Sequence, residues 1–312
     1  MTRDTLMLVE KSSHCLSYYD LDSGARLTSI ALPDFPHEFV VDSRQAYAYI
    51  GHYGVETAGH TGVGGTHVFQ IDIARRKHVR SIDVAPFNRL HGMQMDAQDR
   101  LYALSEERAQ LVVLEHPETD NAPRRVVGTG GIKSHLFALT RDGQTAYALN
   151  LLSHTVTRIR PHDPTCAPVA CAPGEKPEGC ALSADEKTLY VSCRWSNTLC
   201  AIDCTSMQIK YQVPSRDDAT RLYLHRDGRL LVTNYGARSL SVVDPGSLRE
   251  LAHVPMGARA IALSFHPTRP LAFVSQDDDR LGYFNMQTLR FERWIATQRK
   301  PDVSYVLAPA RN

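Results

Sequence analysis

A unit of strand, turn, strand, turn and strand recurs along this chain, and few architectures can accept it. It is clearest at residues 177–203, PEGCALSADEKTLYVSCRWSNTLCAID, with MQIKYQV following as a fourth strand. The pattern returns as HLFALTRDGQTAYALNLLSHTVTRI from His135, RLYLHRDGRLLVTNYGARSLSVVD from Arg221 and AIALSFHPTRPLAFVSQDDDRLGYFN from Ala260. Upstream it is visible as HGMQMDAQDRLYALSEERAQLVVLE from His91 and HEFVVDSRQAYAYIGHYG from His37. Each unit alternates apolar and polar residues between Asp-Gly-type turns, the period-two signature of short antiparallel strands. Four strands repeating at roughly 40 residues predict the blades of a β-propeller. No segment carries a convincing helical period.

The two ends complete the count. Residues 4–33 supply three strands and lack a first one, and PDVSYVLAP at 301–309 has the character of that missing strand. One blade built from both termini removes a free sheet edge and locks the ring. With six internal units, the expectation is an all-β, seven-bladed propeller formed by residues 1–312 as a single domain.

The phrases LVTNYGARSLSVVD and LYVSCRWSNTLCAID resemble the YVTN family of seven-bladed propellers. Related chains include propeller-type 6-phosphogluconolactonases and virginiamycin B lyase. The resemblance spans nearly the whole chain and implies the fold. It implies function only broadly, because this fold hosts enzymes and binding proteins alike.

Composition narrows the partners. The formal net charge is +1, from 35 basic and 34 acidic residues, so no basic face points to nucleic acid. No apolar run approaches the ~18–20 residues of a membrane span. The opening MTRDTLMLVEKSS lacks the apolar stretch of a signal peptide, so the expected location is cytoplasmic. Of the seven cysteines, Cys166 and Cys171 share a loop where they can pair; reduced, mostly buried thiols are the expectation.

In a propeller the first strand of each blade lines the channel, so one residue per blade stands at its mouth. Aligning the repeats on their turns puts Asp302, His37, His91, His135, Glu178, Thr220 and Arg259 in that column. Three adjacent histidines in one column of seven, from 14 in the whole chain, is a chance event at roughly the per-cent level. Pseudo-symmetry aims the imidazoles of His37, His91 and His135 at one point, a nitrogen set that suits divalent transition metals. The expected cofactor is therefore such a metal, iron first and manganese, copper or zinc as alternatives. Glu178 stands as a fourth ligand or as a partner fixing an imidazole tautomer, a role open to Asp302 on the other flank. The other reading of the three histidines is an acid–base or anion-binding cluster without metal.

A second tier follows the second strands: Lys11, His52, Glu106, Arg194 and Tyr235. Arg194 and Arg259 suit a carboxylate, phosphate or enolate-like oxygen, and His52 or Tyr235 suits acid–base work. Blade two also carries HYGVETAGHTGVGG, about ten residues longer than its counterparts. Its place on the His37 face and its five glycines predict a lid over the mouth. The leading expectation is thus a metal-dependent enzyme, oxidative or lyase in chemistry, acting on a small-molecule substrate. The alternatives are a metal-independent lactonase- or lyase-like enzyme and a non-catalytic interaction propeller.

Overall fold

A computed structural model of the chain describes residues 4–307. Seven four-stranded antiparallel sheets form the blades. Blade 1 joins the chain ends. Its innermost strand is Pro301–Leu307, which pairs antiparallel with Thr5–Glu10, and Cys15–Asp20 and Arg26–Ala31 complete the sheet. The register Leu6↔Val306, Met7↔Tyr305 and Leu8↔Ser304 is the predicted closure; residues 308 and 309 of the expected strand lie outside the described residues. Blades 2 to 7 begin with the innermost strands Pro36–Val41, Leu90–Met95, Ser134–Leu139, Pro177–Leu182, Ala219–Leu224 and Ala260–Phe265. Among the described residues the helical content is one short 3-10 turn, Lys11–Ser13, and no helix is long and apolar enough to cross a membrane.

The sequence pattern explains why the blades stack. Along Thr5–Glu10, Leu6 and Leu8 pack with Phe273, Leu281 and Tyr283 of blade 7, whereas Met7 and Val9 pack with Phe39, Ile50 and Phe69 of blade 2. Successive side chains point to opposite faces, so a strand buried on both faces reads as a continuous apolar run. Seven such clusters occupy the seven blade-to-blade interfaces. The outermost strands need bury only one face, and Arg290–Ala296 accordingly alternates between exposed and half-buried positions. All seven cysteines are free thiols, Cys166 and Cys171 included.

Each innermost strand carries an irregularity that matters for the channel. Register shifts fall between Pro36 and Phe39, Leu90 and Met93, Ser134 and Leu136, Pro177 and Gly179, Ala219 and Arg221, and Ala260 and Ala262. A matching shift lies opposite Pro301 in blade 1. In six blades the residue just before the strand is left-handed: Phe35, Arg89, Lys133, Lys176, Asp218 and Lys300, with φ between 48° and 57°. A bulge bends its strand and re-aims one side chain. Here it turns the second residue of each innermost strand into the channel mouth.

Candidate metal centre at the channel mouth

The bulged positions, in blade order, are Asp302, His37, His91, His135, Glu178, Thr220 and Ile261. All seven line one cavity of about 280 Å³. Six match the column expected from the sequence. The seventh does not: Ile261, not Arg259, occupies the blade 7 position. Arg259 lies two residues earlier, half out of the protein. Its backbone N–H donates to Asp277 at 2.9 Å and its guanidinium sits 4.8 Å over the Tyr235 ring.

The second tier needs a similar correction. Its members follow the residues paired with each strand start, which makes them Lys11, Tyr53, Glu106, Leu151, Arg194, Tyr235 and Asp277. His52 is one residue short of this tier. It pairs with Pro36 and turns away from the cavity, placing Nε2 3.2 Å from Asp34 and its ring 5.0 Å from Phe69. A one-residue shift in a strand sends the side chain to the opposite face. Tyr53 takes the position instead, donating its hydroxyl to Glu106 at 3.0 and 3.1 Å.

The three histidines come together as a contiguous run of tilted rings, with interplanar angles of 59° and 38°. Ring centroids are 4.2 Å apart for His37 and His91, and 3.5 Å for His91 and His135. All three are buried. Each outer imidazole has a buried carboxylate at Nδ1: His135 is hydrogen-bonded to Glu106 at 2.5 Å, and His37 lies 2.8 Å from Asp302 as an ion-pair contact without hydrogen-bond alignment. His135 Nε2 faces Glu178 Oε1 at 3.8 Å. The middle ring pairs with no carboxylate, and its Nδ1, like that of His37, finds no hydrogen-bond partner among the described residues. The potential ligand atoms that approach one another closely form two groups, His91 with Glu106 and His135, and His37 with Glu38 and Asp302. The predicted His37, His91, His135 and Glu178 therefore converge on one cavity without forming one preassembled group.

Electrostatics set the charge of this cluster. Burial, reinforced by the neighbouring His135 and His37, holds His91 well below the ordinary imidazole range, so it is neutral. Burial also lowers His37, against the opposing pull of Asp302. Burial raises the Glu106 and Glu178 carboxyls, but His135 and the cations Lys133 and Arg194 more than reverse it, so both stay ionised. Arg194 Nη1 donates to Glu178 at 2.7 Å, and its other nitrogens grip Asp218. The sequence reading missed the floor of the site. Arg221 of blade 6 crosses the channel to Glu38 of blade 2, Nη1 to Oε1, at 2.6 Å. Gly179 permits this crowding, since a Cβ there would lie 2.8 Å from the Arg221 Cα.

The long blade 2 loop lies where the sequence places it. Glu56, Thr57 and Ala58 line the cavity. Arg89 donates to the carbonyls of His60 and Gly62 at 2.6 and 2.7 Å, and Lys133 Nζ reaches the Ala58 carbonyl at 2.5 Å. Lys300 pairs with Glu56. The loop is thus fastened from blades 1, 3 and 4. Its hairpin closes at Gly54, where φ is +69° and a Cβ would sit 2.2 Å from the Gly65 nitrogen. Shortening residues 55–63 to a tight turn is expected to lower the melting temperature by only a few degrees while speeding ligand release about tenfold or more. Unchanged release, measured by stopped-flow displacement, would reduce the loop to a surface insertion.

The molecule thus belongs to the class of seven-bladed propellers with a polar, histidine-lined channel mouth. No family model matches the chain, and no curated protein is similar to it in sequence. Solved structures are similar in fold. The periplasmic gluconolactonase of Pseudomonas aeruginosa superposes with a TM-score of 0.77 at 18% identity, covering 98% of this chain and 99% of that one. A candidate 6-phosphogluconolactonase from Bacteroides uniformis gives 0.77 at 14% identity, covering 98% and 100%. Hydrazine synthase of Kuenenia stuttgartiensis gives 0.72 at 14% identity, covering 94% and 92%. At these identities the likeness is one of fold.

Proposed function

We propose that this propeller is a metal-dependent enzyme acting on a small molecule in the channel mouth, with a divalent transition metal held by His37, His91 and His135. The observation that carries this reading is the placement of buried carboxylates at the Nδ1 atoms of the outer imidazoles, Glu106 hydrogen-bonded to His135 and Asp302 2.8 Å from His37. Carboxylates behind imidazoles fix the tautomer and leave Nε2 as a directed lone pair, the arrangement typical of metal-ligating histidines. A neutral His91 with an unpartnered nitrogen between them fits the same role. Glu178, beside His135 and clamped by Arg194, completes the set as a further ligand or as a neighbour that orients substrate.

A metal on three imidazoles keeps open positions and supplies Lewis-acid polarisation of a substrate oxygen or activation of dioxygen. The chain's own groups do the rest. The Arg221–Glu38 pair closes the channel below, and the blade 2 loop limits water from above. Tyr235 and Lys11 present donors to whatever the cavity holds. Oxidative and lyase chemistry both suit this arrangement, and iron is the first metal to try. The cytoplasm is the proposed location.

The fold shared with gluconolactonases favours a second reading, metal-independent lactone or lyase chemistry by the same histidines. Elemental analysis of protein purified without a histidine tag separates the two. About one equivalent of metal, or stoichiometric uptake of iron, manganese, copper or zinc, is expected. Turnover by protein holding no metal after reconstitution would establish the second reading.

A further inference from the structure

The cations around the cavity are not equivalent. Arg194 is neutralised by Glu178 and Asp218, Arg221 by Glu38, and Lys300 by Glu56. Lys11 is different. Its side chain lines the cavity and is only 8% exposed, yet among the described residues its ammonium group makes no hydrogen bond or ion pair. Its ammonium instead sits over the face of the Tyr53 ring, 4.6 Å from Nζ to the centroid. A buried ammonium with no direct ion pair is costly, and such residues persist where function needs them. Burial, with Lys300 and Arg221 nearby, brings its pKa down to about 8 despite Asp302.

A second unmatched group belongs to a residue that lines the same space. Asp302 sets Oδ2 beside His37, while its buried Oδ1 finds no donor among the described residues. One wall of the cavity therefore holds a cation without a direct ion pair and, at Asp302, an unsatisfied acceptor. A carboxylate or phosphate oxygen satisfies the first, and a hydroxyl on the same molecule satisfies the second.

We infer that this cavity takes a small hydroxylated oxyanion, with the Lys11 ammonium facing its anionic oxygen and Asp302 Oδ1 accepting from its hydroxyl. The inference rests on the proposed function only in taking this cavity as the substrate site. It does not require a metal.

The probes are glycolate and glycerol 1-phosphate, with acetate lacking the hydroxyl and ethylene glycol lacking the charge. Binding is followed by ligand-observed NMR on the full chain, both metal-loaded and chelator-treated. Wild type is expected to prefer glycolate or glycerol phosphate over both controls, and the preferred one identifies the oxyanion. Lys11→Met should weaken that binding about 10- to 100-fold, the loss of one charge-assisted hydrogen bond in a buried site. Metal content should not change. The same variant should melt higher than wild type, because an unpaired buried charge has been removed; a merely structural lysine would move the melting point down. Persistence of the Lys11 effect in chelator-treated protein supports the inference even if the metal reading fails. Equal affinity in wild type and Lys11→Met overturns the inference and leaves the metal reading untouched. Indifference of the wild type to all four probes also overturns it.

Discussion

His91→Ala is expected to reduce metal affinity about 100-fold or more and to abolish turnover, while the protein still folds. Loss of a carboxylate behind a ligand typically costs 10- to 100-fold, and loss of the ligand itself costs at least as much. His91 is the centre of the run, touching His37, His135 and the Tyr53 ring, so no neighbour replaces its nitrogen. Folding survives because ring stability resides in the apolar clusters between blades, and His91 belongs to none of them. Glu106→Gln is the informative comparison. It keeps the shape that Tyr53 and His135 pack against but removes the charge that anchors His135. A fall of about 10- to 100-fold marks Glu106 as an orienting group, and a fall equal to that of His91→Ala marks it as a direct ligand. Metal content of the variants, beside circular dichroism of each, decides this. Equal metal in wild type and His91→Ala would sink the proposed centre.

Deleting residues 301–312 is expected to abolish cooperative folding, or to lower the melting temperature by about 10 °C or more. Pro301–Leu307 is the innermost strand of blade 1 and packs beside the innermost strands of blades 2 and 7. Its loss strips the ladder from Thr5–Glu10, removes Val306 and uncovers the apolar residues packed around it, Leu6, Leu8 and Phe273 among them. Buried aliphatic side chains contribute roughly 1.5–3 kcal/mol each, and the exposed edge invites aggregation. The deletion also removes Asp302, so Asp302→Asn is the control for the site alone. That variant should keep the fold and loosen only His37. A truncated chain melting like the full one would show that the ring closes without its C-terminal strand.

The sequence by itself determined the architecture, and the physical reason is redundancy. Seven repeats state the same alternation, so an error in any one of them is outvoted. The strand PDVSYVL was legible as the missing strand because the first unit plainly lacked one. The same redundancy exposed His37, His91, His135 and Glu178, because a bulge at a fixed place in each repeat keeps them in one column. Blade 7 is the exception that broke the alignment. Among the described residues it lacks the left-handed residue before its innermost strand, and the position passed from Ile261 to Arg259 in the reading.

What only the tertiary structure decided depends on contacts between distant blades. His52 and Tyr53 are neighbours in sequence, and the register of Pro36 opposite His52 alone determines which of them faces the cavity. Glu106 was visible as a rim residue, but its hold on His135 and Tyr53 joins blades 2, 3 and 4. The Arg221–Glu38 pair spans 183 positions of sequence and crosses the channel between blades that share no interface. Periodicity in a repeat records which face of its own sheet a residue occupies. It carries no record of which residue across the ring supplies the opposite charge, and in this molecule those opposing charges set the floor and orient the imidazoles of the site.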